Sequence, residues 1–276
     1  MIQACVIGWP IKHSRSPLIH GHWLQRYGIA GSYVQEAVRP EDVAGFLGSL
    51  RQRGLAGCNV TIPHKEAAYA AAEVRHAAAR AVGAANTLWF EDGRLVAENS
   101  DSFGFLAHLR ASVPGFDVRG KAVAVLGAGG GARGIIFAFL DAGAAEVRVF
   151  NRTRERADAV ARHFGPRVKP HDWEARSDRA REASVLVNAT SLGMEGGEPL
   201  TMDLSALSAD CVVVDIVYVP LETPLLRAAR ARGLAAVDGL GMLLHQAVPG
   251  FAKWFGVVPE VTNELHALVV ADIEGR

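Results

Sequence analysis

The sequence predicts an α/β protein in two parts. A mixed α/β region covers residues 1–104, and a doubly wound α/β region covers 105–237. The helices of 238–276 return to complete the first part. Three observations carry this. Strand-like runs and helical stripes alternate along most of the 276 residues. A continuous apolar run, Ala122–Leu126, has the character of a strand buried on both faces of a parallel sheet. Asp92-Gly93, set between residues 87–90 and 95–98, is a hairpin signal that appends an antiparallel pair to the first part.

The elements follow in order. Residues 1–8 form a short buried strand. Ser16-Pro17 opens a helix, with Ser as the expected cap and Pro in the first turn. Ile19, Trp23 and Tyr27 share one face of it, and Gly28 ends it. Residues 40–53 repeat the pattern: Val43, Phe46, Leu47 and Leu50 make the stripe, and Gly54 the stop. Residues 56–61 make a second strand, followed by a helix near Pro63, so the first hundred residues amount to a βαβα unit plus the hairpin. A connecting helix covers 103–112. After Ala122–Leu126, strand-like runs recur at 146–150, 184–188 and 211–216, and two helices occupy 239–275. No fixed-period repeat or low-complexity tract occurs.

Composition narrows the function classes. The formal net charge is zero, with 29 basic and 29 acidic residues, so no overall field attracts nucleic acid or an anionic membrane. No run of about 18 apolar residues is present to span a membrane. Pro10, Lys12 and Arg15 interrupt what would have to be a signal-peptide core. The three cysteines, Cys5, Cys58 and Cys211, are far apart in small or apolar contexts, as expected of buried thiols in a reducing cytoplasm. His20 and His22 stand two apart and do not share a helix face, and no Cys/His ligand cluster exists, so no metal is expected. A homodimer is compatible with this composition but is not specified by it.

Gly127-Ala128-Gly129-Gly130-Gly131-Ala132 follows the apolar strand and opens a helix, the context a dinucleotide-binding loop requires. Gly127 permits the tight turn, Gly129 lets a pyrophosphate approach the backbone, and Ala132 keeps helix and strand close. The helix start offers free N–H groups to phosphate. A ligand-free tight turn is the competing reading, and the next strand argues against it. In NAD-binding units that strand ends in an acid that holds the ribose 2′-hydroxyl. Here it ends Phe150-Asn151-Arg152-Thr153, with Arg152, Arg154 and Arg156 clustered. Cations at a helix start oppose its dipole, so their presence points to an anion, and guanidinium grips a 2′-phosphate. The expected cofactor is NADP, in a Rossmann-type domain.

Other polar residues sit where strands end or helices begin: Ser14 and Ser16, Asn59, Thr61 and Lys65, Asn86, Asn99 and Asp101. In α/β folds ligands bind at such ends. A structural salt bridge is the plain alternative for Lys65 and Asp101. Taken together, Ser14-Arg-Ser16-Pro17, Asn59-Val-Thr-Ile-Pro-His-Lys65, Gly83-Ala-Ala-Asn86-Thr and Asn99-Ser-Asp101-Ser-Phe-Gly104 resemble the shikimate dehydrogenase family. So do Gly127–Ala132, Asn151-Arg-Thr153, Asn188-Ala-Thr-Ser191, Asp215-Ile-Val-Tyr218 and Gly239-Leu-Gly-Met-Leu-Leu-His-Gln246. The resemblance runs in order from about residue 6 to about residue 247.

The resemblance implies an N-terminal substrate domain, a Rossmann-type NADP domain, and reduction of 3-dehydroshikimate to shikimate in the route to chorismate and the aromatic amino acids. It implies that Ser14 and Ser16 hold the substrate carboxylate. Asn59, Thr61, Asn86, Tyr218 and Gln246 are substrate-binding, and Lys65 and Asp101 carry the proton chemistry. Asn151, Arg152, Thr153 and Arg156 surround the adenosine phosphate, while Thr190, Ser191, Ile216 and Gly239 line the cofactor site. A small hydroxylated acid does need hydroxyl and amide partners, and a lysine beside a reducible carbonyl can donate the proton. The chain departs from the family pattern at His64 (commonly Phe), Ser100 (Thr), Gly131 (Ala) and Val219 (Asn). Three alternatives stay open: a quinate or amino-shikimate dehydrogenase of the same family, a non-catalytic NADP-binding regulator, and a folate-type dehydrogenase.

Overall fold

The computed structural model describes residues 1–275 as two compact units. The first runs from Met1 to Gly104 and resumes at Leu244, and the second is Phe105–Leu243. The first unit contains β1 (Ile2–Gly8), α1 (Ser16–Arg26), β2 (Gly31–Ala37), α2 (Val43–Gly48), β3 (Leu55–Val60), α3 (Lys65–Ala71), β4 (Val74–Arg75), α4 (Ala77–Val82), β5 (Thr87–Glu91) and β6 (Arg94–Glu98). The helix α5 (Asp101–Ser112) begins in it. The second unit contains β7 (Ala122–Leu126), α6 (Gly130–Asp141), β8 (Glu146–Asn151), α7 (Arg154–Phe164), β9 (Val168–Asp172), α8 (Arg176–Arg179), β10 (Val185–Asn188), β11 (Val212–Asp215), α9 (Pro224–Ala231) and β12 (Ala235–Val237). Last come α10 (Leu240–Phe255) and α11 (Asn263–Ile273).

The first sheet has the order β2-β1-β3-β5-β6-β4. β1 pairs in parallel with β2 and β3, whereas β3–β5 and β5–β6 are antiparallel. The expected hairpin is present: Asp92 at φ 49° and Gly93 at φ 79° make its two-residue turn, which demands the left-handed region twice. Cys5, Ile7, Phe46, Leu50, Cys58, Val60 and Leu88 are among its buried core. The helix α10 is seated through Trp254, whose indole N–H donates to the Leu88 carbonyl at 2.9 Å. Any Cβ at Gly57 would overlap both of those groups, so glycine is required there.

The structure departs from the sequence reading in several places. Ser16 is the first residue of α1 rather than its cap: Arg15 holds the cap position without a side-chain bond. Pro17 satisfies the first turn by needing no N–H partner, which removes the demand for a capping hydroxyl. The βαβα outline also omitted β2, in which only Tyr33 is buried. It is an edge strand that buries one residue, so no apolar alternation announces it.

The second sheet is parallel throughout, in the order β12-β11-β10-β7-β8-β9. This is the doubly wound order with its topological switch between β7 and β10. Alternate residues of the central strands serve different cores. Val123, Val125, Val147, Val149, Val185 and Val187 pack with Ile135, Ile136 and Phe139 of α6. Ala124, Leu126, Phe150, Leu186 and Val213 pack with Leu225 and Leu226 of α9. Burial on both faces explains why β7, β10 and β11 are apolar along nearly their whole length. Each fully buried Val, Leu or Ile stabilises the unit by roughly 1.5–3 kcal/mol before entropy is counted.

Candidate functional site

In the first unit the topology gathers the polar residues at one sheet edge. β1 and β3 are parallel, with Ile7 opposite Val60, so the loop carrying Ser14 and Ser16 and the turn carrying Thr61 leave the same edge. β5 runs antiparallel to β3, with Thr87 opposite Asn59, which places Asn86 at that edge. β6 runs back to it, with Glu98 opposite Thr87, and delivers Asn99–Asp101 there. The edge is therefore made of two parallel strand ends and the open end of the hairpin.

Lys65 and Asp101 meet at this edge. Lys65 is the first residue of α3, and its Nζ donates to Asp101 Oδ2 at 2.6 Å. Asp101 begins α5, where its N–H donates to Asn99 Oδ1 at 3.2 Å. The Asn86 amide donates to the other oxygen, Asp101 Oδ1, at 2.8 Å and also to Gln246 Oε1 at 3.4 Å. The Asn86 amide cannot turn over freely. Its Oδ1 takes the Ser100 N–H at 2.8 Å and lies 3.0–3.1 Å from the Thr87 and Ser100 hydroxyls, which fixes its N–H face toward Asp101. Five of the residues inferred from sequence are thus joined by direct contacts: Lys65, Asp101, Asn86, Gln246 and, through the Asn86 carbonyl, Asn59. Ser100, where the family commonly has Thr, keeps its hydroxyl in the network.

Asn59 is 4% exposed and saturated from behind. Its Oδ1 accepts from the Tyr33 hydroxyl at 2.6 Å, and its Nδ2 donates to the Asn86 carbonyl at 3.1 Å and Thr87 Oγ1 at 3.2 Å. Tyr33 in turn stacks on His20, ring centres 3.9 Å apart. Burial pushes His20 down to about 3, which keeps it neutral. Ser16 is buried and Ser14 half-buried, and the Ser16 N–H points at Ser14 Oγ, 3.4 Å away. Thr61 lies against Gly8, where any Cβ would strike its methyl group at 2.5 Å. His64 is buried and bonds the Val38 carbonyl through Nε2 at 2.7 Å, so its polarity is spent inward.

The glycine loop of the second unit lies at the switch point. Gly127 follows β7 at φ 110°, and a Cβ there would come within 2.8 Å of the Ala189 carbonyl after β10. Cβ atoms at Gly129 and Gly130 would meet nothing within 4 Å. Their lack of side chains is not a packing requirement of this unit; it leaves the start of α6 bare. That helix has Gly129 as its cap with no side-chain bond, so its first N–H groups remain available. Ala128 and Gly131 are half-buried around it, Gly131 faces Ile216, and Ala132 is fully buried against the sheet. Gly239 is forced by proximity, since a Cβ would overlap the Ile216 carbonyl. These features fit a dinucleotide whose pyrophosphate lies on the helix start.

β8 ends at Asn151, whose amide donates to the Thr153 carbonyl at 2.8 Å and shapes the turn. Arg152 is exposed and holds only Glu198, at 3.4 Å. Such an exposed pair is weak and yields to a stronger anion. Arg156 is exposed and has no ion pair among the described residues. Arg154 differs from its neighbours: Asp158 at 3.0 Å and Asp172 at 2.8 Å hold it, so it belongs to the fold rather than to the free basic cluster.

Tyr218 belongs to the second unit, on the half-buried turn after β11. The sequence reading passed over what holds this turn. Asp215 is fully buried and accepts from Asn188 Nδ2, the Val217 N–H and Thr223 Oγ1. Burial pushes its carboxyl up to about 6. A strand-terminal acid inside an otherwise apolar run was the available signal.

With the geometry established, comparison with known proteins is decisive. A family profile described as the shikimate dehydrogenase substrate binding domain matches residues 6–88, and one described as shikimate / quinate 5-dehydrogenase matches 109–216. A shikimate dehydrogenase (NADP(+)) of Azorhizobium caulinodans is 54% identical over 100% of this chain and 98% of its own length. The chain belongs to the shikimate dehydrogenase family. A Mesorhizobium japonicum member, named the same way, is 55% identical over 98% of this chain and 96% of its own. The Thermus thermophilus shikimate 5-dehydrogenase, solved in complex with NADP(H) and shikimate, superposes with a TM-score of 0.86 at 39% identity, covering 98% of this chain and 100% of that one. A quinate dehydrogenase of Corynebacterium glutamicum in complex with NAD superposes at 0.89 with 29% identity, covering 98% and 99%.

Proposed function

We propose that this chain is an NADP-dependent oxidoreductase that interconverts 3-dehydroshikimate and shikimate, within the route to chorismate and the aromatic amino acids. The observation that carries the reading is the Lys65–Asp101 contact, locked by Asn86 at the sheet edge where Ser14, Ser16 and Thr61 also emerge. Bound NADPH supplies the hydride. Lys65 gives its proton to the carbonyl oxygen as negative charge develops there, and takes it back in the oxidative direction. Asp101 holds the Lys65 ammonium in place and is itself held by Asn86. Ser14 and Ser16 bind the substrate carboxylate. Thr61, Asn86, Tyr218 and Gln246 bind the ring hydroxyls or the carboxylate, and Asn59 braces Asn86 from behind.

Gly127, Ala128, Gly129, Gly130, Gly131 and Ala132 hold the pyrophosphate. Asn151, Arg152, Thr153 and Arg156 hold the 2′-phosphate, and Thr190, Ser191, Ile216 and Gly239 line the rest of the cofactor. The absence of an acid at the end of β8, with two loosely held arginines beside it, supports NADP over NAD. The relatives named for NADP(+) support the same preference. No helix among the described residues is long and apolar enough to cross a membrane. The cytoplasm is the proposed compartment, supported by the three buried free cysteines.

The test is shikimate oxidation followed through nicotinamide absorbance, with NADP and NAD, quinate in parallel, and Lys65→Ala beside the wild type. NADP-dependent turnover of shikimate that collapses in the variant supports the assignment. Turnover of quinate alone transfers it to that substrate. Tight NADP binding without turnover of either acid leaves a regulator.

A further inference from the structure

The turns assigned to the cofactor are not held by their own backbone alone. Thr190 and Ser191 follow β10, and Ile216 follows β11, the two strands on the far side of the switch point from the 2′-phosphate arginines. In a doubly wound sheet that side serves the nicotinamide half of a dinucleotide.

We infer that Asp215 is a positioning residue for that half: with Asn188 and Thr223 it locks the 188–192 and 215–217 turns into one block that presents Thr190, Ser191 and Ile216 to the cofactor. The inference rests on the cofactor assignment above. Asp215 Oδ1 accepts from Asn188 Nδ2 at 2.9 Å and from the Val217 N–H at 3.0 Å, and Oδ2 accepts from Thr223 Oγ1 at 2.7 Å. Asn188 passes the order on. Its Nδ2 also donates to the Leu192 carbonyl at 3.0 Å, and its Oδ1 accepts from the Thr190 N–H at 3.1 Å and hydroxyl at 2.7 Å. Thr190 Oγ1 then accepts from the Leu192 N–H at 3.0 Å, and the Ile216 N–H donates to the Asn188 carbonyl at 3.1 Å. Thr223 closes the block from behind, where its hydroxyl also caps α9 through the Leu226 N–H at 3.3 Å.

The chemistry favours a carboxylate. Three donors converge on the two oxygens of Asp215, two on Oδ1 and the Thr223 hydroxyl on Oδ2. An amide keeps the pair on Oδ1 but forces the Thr223 hydroxyl to accept instead of donate, so its charge-assisted bond is lost. Burial makes the ionised form costly here, and its carboxyl is pushed up to about 6. The acid is accounted for by the two turns it must hold at fixed spacing.

The experiment compares Asp215→Asn, Thr223→Val and Thr223→Ser, titrating NADP and, separately, 2′,5′-ADP, which reaches only the adenosine phosphate end. Asp215→Asn and Thr223→Val are expected to weaken NADP roughly tenfold, the loss of one charge-assisted hydrogen bond, with 2′,5′-ADP unchanged. Thr223→Ser keeps the hydroxyl and is expected to bind NADP as the wild type does. Equal weakening of both ligands, or weakening of neither, overturns the inference. Ser191→Trp tests the underlying assignment. Ser191 is exposed and makes none of these bonds, so the indole must block NADP if the turn faces the cofactor. Undiminished NADP binding in Ser191→Trp removes that assignment, and the inference with it.

Discussion

His20 offers a quantitative test of the buried layer behind the polar edge of the first sheet. Its ring is fully buried and stacks on Tyr33. Burial holds it at about 3, against 6.5 in the unfolded chain. The unfolded chain therefore takes up a proton that the folded chain refuses as pH falls below 6.5. Stability supplied by a neutral His20 is full above that value and is lost progressively down to about 3. The gap amounts to about 5 kcal/mol once pH lies below both values, and about 2 kcal/mol is already lost at pH 5. Asp215 acts with the opposite sign. Its folded value of about 6 lies above the ordinary 3.8, so lowering pH from 7 to 5 restores about 1 kcal/mol. From this pair alone, wild-type protein loses about 0.5 kcal/mol between pH 7 and 5. His20→Phe keeps the ring and its stacking but removes the titration, so the same change should stabilise it by about 1 kcal/mol. The assay is urea unfolding of both proteins at the two pH values. All other titrating groups are shared, so the difference between the slopes isolates His20. Identical slopes would falsify the account of His20 as a buried neutral ring.

Three further outcomes are expected. Lys65→Ala should lower kcat by roughly 10²- to 10⁴-fold while NADP affinity, measured by fluorescence, stays unchanged; a parallel loss of NADP binding would assign Lys65 to the cofactor instead. Arg156→Ala should weaken NADP by roughly 10- to 150-fold and leave NAD untouched, the range for one charge-assisted hydrogen bond; equal effects on both cofactors would place the 2′-phosphate elsewhere. Gly239→Ala must displace the Ile216 carbonyl that lies against it, so the KM for NADP should rise more than that for shikimate; unaltered kinetics would mean that the Ile216 turn does not face the cofactor.

Much of this protein is legible in its sequence because burial on two faces leaves a plain record. β7, β10 and β11 are apolar at nearly every position, and β8 alternates around buried Val147, Val149 and Phe150, so all four are visible as strands. Gly127–Ala132 marks the turn between one of them and a helix, and Asp92-Gly93 marks the hairpin, since both need backbone shapes that few residues adopt. The missing acid after Phe150 likewise records the cofactor preference in residue types alone. The strands that escaped are β2, β4, β9 and β12, and each lies at an edge of its sheet. Edge strands bury little, so Tyr33, Val168 and Val237 are the only buried residues in three of them, and β4 has none. The partnership of Lys65 with Asp101 was a matter of residue type and resemblance until tertiary structure joined them. Residues 36 positions apart meet because an antiparallel hairpin returns to the edge where two parallel strands end. The free state of Arg156 against the tied state of Arg154, and the three donors that converge on Asp215, were settled the same way. Local sequence sets which groups a residue carries and which backbone shapes it tolerates. Which donor finds which acceptor depends on contacts distant in the chain, and the packed fold alone decides them.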